Sequence, residues 1–402
     1  VSAVARVEAA FARIAQSKLC AFVDLDRDGA LAAAQACDAR VTPLPLDGVT
    51  FGIKSNIAVA GLPWTAGMAL HRDRIATEDA AVVTRLRKAG AIILGTVNMH
   101  EAALGATTDN VFFGRTLNPH DPARTPGGSS GGSGAAVAAG LCDVALGTDT
   151  LGSVRIPAAY NGVYGLKPTH GAIADAGLEP LARDLDAIGP LARSLDMLER
   201  VWRVLGTSVP GHARRVVLLD DLAGVALEPA VRAAYDRAVA ALDLPRSTLT
   251  LRDTPQAIRI AGFVMAGREL AADLGDHDPA LISPELHFML SFCTGATPAP
   301  DVLARTRETL VAALGDDGVL LTPTAPQVAF AHGRAPVDQA DFTGLANIAG
   351  LPALSLPAGH DGTGMPVGVQ LIGPPGSEAA LFALARTLDG ALCGYAPPPE
   401  VS

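Results

Sequence analysis

Lysine is almost missing from this chain: Lys18, Lys54, Lys88 and Lys167 stand against 27 arginines in 402 residues. Arginine keeps its proton in any protein environment, whereas a buried lysine can release one. A chain that draws nearly all its positive charge from arginine makes each lysine a candidate for chemistry. Cysteine is also scarce, with five residues and no C-x-x-C pair. That excludes a disulfide framework and fits a reducing, cytoplasmic setting. Cysteines and histidines nowhere sit at ligand spacing, so no metal is expected. Basic runs are absent too: the net charge is −10 with scattered arginines, which argues against nucleic acid as a partner. No apolar run reaches the roughly 18 residues of a membrane span, and Val1–Ser17 reads as an amphipathic helix rather than a signal peptide.

What the chain does have is apolar material, 49% against 18% charged residues, enough for a large core. Short apolar runs at Ala91–Thr96, Cys142–Gly147, Val163–Leu166, Arg214–Leu219, Gly318–Leu321, Ala353–Leu356 and Val367–Ile372 predict buried strands. Helical spacing marks Thr77–Ala89, Pro229–Leu242 and Ser377–Ala391. The alternation predicts an α/β fold, a single large domain over residues 1–402 with a central mixed β-sheet covered by helices on both faces. The stretch Ser247–Pro300 is weakly patterned and reads as a helical excursion over the sheet.

The most unusual segment is Thr125-Pro-Gly-Gly-Ser-Ser-Gly-Gly-Ser-Gly134. A flexible linker is the plain reading, but small helix-forming residues follow it and lead into a buried strand. A phosphate loop needs a lysine that is not there. Gly127–Gly131 fits G-x-S-x-G, yet a nucleophile elbow follows a strand, and three prolines lie between Thr116 and Pro126.

Ser153 follows in Gly147-Thr-Asp-Thr-Leu-Gly-Ser153, where a strand ends in a tight turn before a short helix. Successive backbone N–H groups at such a turn make an anion-binding concavity, with Ser153 at its lip. The alternative is a simple helix N-cap. Lys54 ends the β-prone run Val49-Thr-Phe-Gly-Ile-Lys54. It is either a lysine snorkelling from a strand end or a desolvated, neutral general base for a serine. None of the nine histidines sits in a strand-end turn that invites a triad role, although an order Ser…Asp…His stays open.

Taken together these motifs resemble the amidase signature family. The resemblance runs through Phe51-Gly-Ile-Lys-x-Asn56, Gly127–Ser133, Gly147–Ala158, Gly162–Thr169, Thr322–Thr324, Asn347–Ala353 and Gly364–Gln370, nearly the whole chain. It implies a large α/β domain, no cofactor, and a Ser–cis-Ser–Lys triad. Ser153 is then the nucleophile, Ser129 the bridging serine after a cis peptide from Gly128, and Lys54 the base. The N–H groups of Thr150, Leu151, Gly152 and Ser153 are implied to form the oxyanion hole.

Four positions depart from the family pattern. Leu151 stands where glycine is usual, Ser55 replaces aspartate, Trp64 replaces a small residue, and Asn161 replaces cysteine. The chain is also short for the family, reduced after about Asp243. Trp64, Met68 and Leu151 are expected to shape the substrate pocket and to favour a small or flat acyl group. The expected activity is hydrolysis of a small-molecule carboxamide through an acyl-enzyme, in a protein that is a homodimer if it follows its family. The alternatives are a urea-type substrate and the glutamine-hydrolysing subunit of a transamidation complex. Ile156 argues against the last, because such subunits resemble this motif but carry glutamine there.

Overall fold

The computed structural model describes residues 1–207, 209, 211–392 and 394–399, so the last three residues of the expected 1–402 domain lie outside it. Its strands are β1 (Phe22–Leu25), β2 (Thr50–Lys54), β3 (Ile92–Val97), β4 (Asp109–Asn110), β5 (Gly114–Arg115), β6 (Val144–Asp149), β7 (Tyr164–Lys167), β8 (Ala187–Ala192), β9 (Arg215–Leu219), β10 (Arg246–Leu249), β11 (Gly318–Pro323), β12 (Ala353–His360) and β13 (Pro366–Ile372). The α-helices are α1 (Ala3–Gln16), α2 (Arg27–Asp38), α3 (Ala81–Lys88), α4 (Gly131–Ala138), α5 (Arg155–Tyr160), α6 (Leu195–Leu205), α7 (Pro229–Ala241), α8 (Pro255–Leu274), α9 (Pro284–Gly295), α10 (Pro300–Leu314), α11 (Gly344–Ile348) and α12 (Glu378–Leu392).

Eleven strands form one sheet in the order β1-β3-β2-β6-β8-β7-β12-β13-β11-β9-β10, and β4 and β5 pair separately. Two parallel patches, β3-β2-β6 and β11-β9-β10, are joined through antiparallel pairings, so the sheet is mixed. All seven apolar runs expected as strands are strands, with ends shifted by a few residues.

Alternation along the strands divides the core. On β3, Ile93 joins the larger apolar cluster, while Ile92 and Leu94 join a second cluster with Ala135 and Val137 of α4 and Val7 of α1. Successive side chains of a strand point to opposite faces, so helices cover both. Each such isoleucine or leucine, fully buried, contributes roughly 1.5–3 kcal/mol. The sheet is the core of a single large α/β domain, and no helix among the described residues is long and apolar enough to cross a membrane.

β8 lies in the middle of the sheet although it contains Gly189 and Pro190. A Cβ built on Gly189 would sit 2.1 Å from the Leu166 carbonyl oxygen of β7. Glycine is therefore needed there for strand approach, because backbone cannot move aside as a flexible side chain does. Gly189→Ala is expected to lower unfolding stability by about 1–3 kcal/mol, the usual range for overpacking. An unchanged urea midpoint would show that the strands separate at no cost.

Candidate active site

Lys54 is the last residue of β2, which lies between β3 and β6 in the first parallel patch. Its position is the carboxyl end of a parallel strand, where ligand crevices of α/β sheets open. The side chain is fully buried, so it does not snorkel. Its Nζ lies 2.7 Å from Ser129 Oγ and 2.7 Å from Thr148 Oγ1 on β6. Asn56 Nδ2 donates to the same threonine oxygen at 3.1 Å. Burial lowers the Lys54 pKa from its ordinary 10.5 to about 7, against the opposing pull of Asp186 and Asp149.

Lys167 is the other buried lysine, also lowered to about 7, first by burial and then by Arg155. It donates to the Pro168 carbonyl at 2.7 Å and has no serine partner among the described residues. Lys18 and Lys88 are not buried. Of the four lysines, Lys54 is the one bonded to a serine hydroxyl.

Ser129 enters from the glycine-serine segment, whose Gly128–Ser129 peptide is cis. The segment is buried throughout and runs into α4, which removes the linker reading. Asn161 pins it, with Nδ2 donating to the carbonyls of Pro126 and Pro157 at 2.7 Å each. Main chain links the two serines as well, because Ser130 N–H donates to the Ser153 carbonyl at 3.2 Å.

Ser153 lies in the turn between β6 and α5. The helix begins at Arg155, and its N-cap position is Val154 with no side-chain cap, so Ser153 is not an N-cap. The carboxylate of Asp149 takes that part. It accepts from Gly152 N–H at 2.7 Å, Val154 N–H at 3.1 Å and Arg155 N–H at 3.4 Å. Gly152 has a φ of +135°, a region that favours glycine. The Gly152 N–H, one of the donors expected in the oxyanion hole, is thus bonded to Asp149. Among the described residues no hydrogen bond engages the N–H of Thr150, Leu151 or Ser153.

Asp149 and Arg155 are both fully buried and paired at 2.9 Å. Burial works against the charge of Asp149, but Arg155 with Lys167 and Asn347 holds its pKa down at about 2. Asp186, a residue with no signal in the sequence, accepts from Thr150 Oγ1 at 2.5 Å and from the N–H groups of Leu181 and Ala182. Burial raises it to about 6. No histidine is bonded to the hydroxyl of Ser129 or Ser153 among the described residues. His100, buried beside the Ser129 carbonyl, is pushed down to about 4 by desolvation.

A cavity of about 550 Å³ opens on Ser153, Thr150 and Leu151. Leu151 lines it, as expected; Trp64 and Met68 do not. Met68 is buried in the core. Trp64 donates from Nε1 to the Asn56 carbonyl at 3.0 Å and stacks under Arg74 at 4.1 Å, which fixes its ring away from the cavity. The wall comes instead from α8 and α9, through Ile260, Phe263, Phe288, Met289 and Phe292.

A mixed sheet that sets a buried lysine against two serine-bearing turns defines an amide-hydrolase class, and similarity to known proteins agrees. The chain belongs to the amidase family, whose model matches residues 5–223 and 298–382. A glutamyl-tRNA(Gln) amidotransferase subunit of Synechococcus sp. (strain RCC307) is 35% identical, with 98% of this chain and 95% of that protein covered. A protein of a vestigial complex, described as revealing the origins of an s-triazine catabolic enzyme, is 31% identical. It superposes with a TM-score of 0.91 over 99% of this chain and 97% of its own. A solved amidase, 30% identical, gives 0.87 over 98% and 96%.

The lowered Lys54 pKa has a consequence for stability. The folded value lies below the unfolded one, so stability is greatest above 10.5 and is lost as pH falls toward 7. Lys54→Met lacks this loss. The stability of Lys54→Met relative to the parent should therefore grow as pH is lowered from about 10 to 7, by more than ~1 kcal/mol. A pH-independent difference in urea unfolding would mean that Lys54 is not desolvated.

Proposed function

We propose that this amidase hydrolyses a small-molecule carboxamide through an acyl-enzyme on Ser153, releasing ammonia or a small amine. We further propose that residues 1–402 act as one amidase-signature domain. The observation that carries the reading is the fully buried Lys54, bonded to Ser129 at 2.7 Å with its pKa near 7. A neutral amine donates an N–H to Thr148 and offers its lone pair to the Ser129 hydroxyl. Ser129 passes its proton to Lys54 while taking that of Ser153, and the Ser153 oxygen attacks the amide carbon. The developing oxyanion meets the N–H groups of Thr150, Leu151 and Ser153, which carry no other bond among the described residues. The C–N bond then breaks as the nitrogen takes a proton back through Ser129, and water repeats the relay to release the acid.

A second reading, the glutamine-hydrolysing subunit of a transamidation complex, is supported by the 35% identity to the Synechococcus amidotransferase protein. Against it, Ile156 lines the cavity together with a mostly apolar wall, a poor match for a zwitterionic amino acid. A cytoplasmic setting suits the free Cys20, Cys37, Cys142 and Cys293. The homodimer rests on the resemblance, and light scattering tests it.

Two experiments test the chemistry. Lys54→Arg keeps the charge but cannot accept a proton, so turnover should fall on the order of 10²–10⁴-fold, the range for a positioned base. The parent's activity should rise with pH through an apparent value near 7, and the variant should lose that limb. Near-parental turnover with an unchanged profile removes Lys54 from the mechanism. A fluorophosphonate should label Ser153; an adduct on Ser129 instead would reverse the roles of the two serines.

A further inference from the structure

The cavity wall is apolar along most of its length, and its longer polar side chains are Gln256, Arg259 and Gln339. Gln256 and Arg259 on α8 stand three residues apart, hence on one helix face, and both line the cavity. Arg259 is the only charged residue among those lining it. Its Nε donates to Asp341 Oδ1 at 2.5 Å, and that carboxylate is itself buried. Nη1 and Nη2 have no partner among the described residues, although a guanidinium carries two N–H donors on each of these nitrogens. The Asp341 contact thus holds the fork in one orientation and leaves its outer edge to a ligand.

Charge decides what that edge accepts. Arg259 and Asp341 cancel, so the cavity is neutral as a whole. A carboxylate bound there would leave a net negative charge against a mostly apolar wall, which is costly. An uncharged oxygen accepts the same N–H groups and adds no charge. We propose that Arg259 forms a specificity subsite, and that the substrate is an uncharged amide with an apolar body and, away from the scissile bond, an uncharged hydrogen-bond acceptor. The body lies against Phe263, Phe288 and Phe292, and the volume of about 550 Å³ is of small-molecule size. This inference rests on the amidase reading for which bond is broken, but the subsite is testable by binding alone.

The probes are primary amides of one arylalkanoic acid whose ring bears no substituent, an acetyl group or a carboxylate, with glutamine as the fourth. Binding to Ser153→Ala is measured by calorimetry, and ammonia release by the parent enzyme is measured alongside. The acetyl amide should bind about tenfold or more tightly than the unsubstituted one, the effect of a hydrogen bond to a charged donor. The carboxylate and glutamine should bind more weakly than the acetyl amide. Adding Arg259→Met with Asp341→Asn removes both charges, so neither is left buried alone, and should bring the acetyl and unsubstituted amides within about twofold. If that protein does not fold, Arg259→Lys keeps the ion pair, loses the fork, and should shrink the same advantage. Equal binding of the acetyl and unsubstituted amides, tightest binding of the carboxylate or glutamine, or an acetyl advantage that survives loss of Arg259 overturns the proposal. Absence of ammonia from every amide, with the binding preference intact, overturns the amidase reading instead.

Discussion

The buried carboxylate of Asp149 fixes the turn on which the site is built. It sits at the end of β6, binds three N–H groups of the chain that follows, and is paired with Arg155. Arg155 then reaches Gln370 on β13 at 2.8 Å and Asn347 on α11 at 2.6 Å. Asn347 returns to the Asp149 carbonyl at 2.8 Å. Residues from three distant parts of the chain thus share one saturated network. A buried ion pair adds little net stability, because desolvation offsets its attraction, but losing one partner leaves an uncompensated charge. What this pair supplies is direction. Asp149 draws the Gly152 N–H inward, while the N–H groups of Thr150, Leu151 and Ser153 carry no bond among the described residues.

Electrostatics link that turn to the lysine. Burial alone would make Lys54 a much weaker cation, and the carboxylates of Asp186 and Asp149 partly restore its basicity. Asp186 is itself held near 6 by burial, and its hydrogen bond to Thr150 ties it to the turn. The charges of Lys54 and Asp186 act on each other, each favouring the ionised form of the other. The lowered pKa of Lys54 is a balance between desolvation and two buried acids, not an effect of burial alone.

Much of this was legible in the sequence, and the gaps have physical causes. Buried strands of a covered sheet read as short apolar runs, which is why β3, β6, β9 and β11 to β13 stand out. β8 does not, since a proline inside a run normally argues against a central strand. It is tolerated because β7 pairs with β8 only at Leu191 and Ala192, leaving Pro190 beyond that ladder. α8 lacks a clear helical stripe because it is apolar on two sides, with Ile258 in the core and Phe263 at the cavity. Lys54, Ser129 and Ser153 lie in local motifs whose residue types single them out. Trp64 and Met68 lie off the Ser153 cavity because the path of their loop is set by tertiary contacts, the indole bonded to Asn56 and covered by Arg74. Asp186 gave no signal, being one acid in a charged loop before β8.

Leu151 shows how a departure from the family pattern is accommodated. A leucine within the turn needs space that glycine would not, and the space comes from across the cavity. Gly262 on α8 has no side chain, and a Cβ there would lie 2.9 Å from Leu151 Cδ2. Bulk has been placed on the turn and withheld from the helix. The leucine side chain brings apolar surface to the cavity wall beside Ser153. The shape of the cavity beside Ser153 is therefore set jointly by Leu151 on the turn and by the absence of a single Cβ on α8.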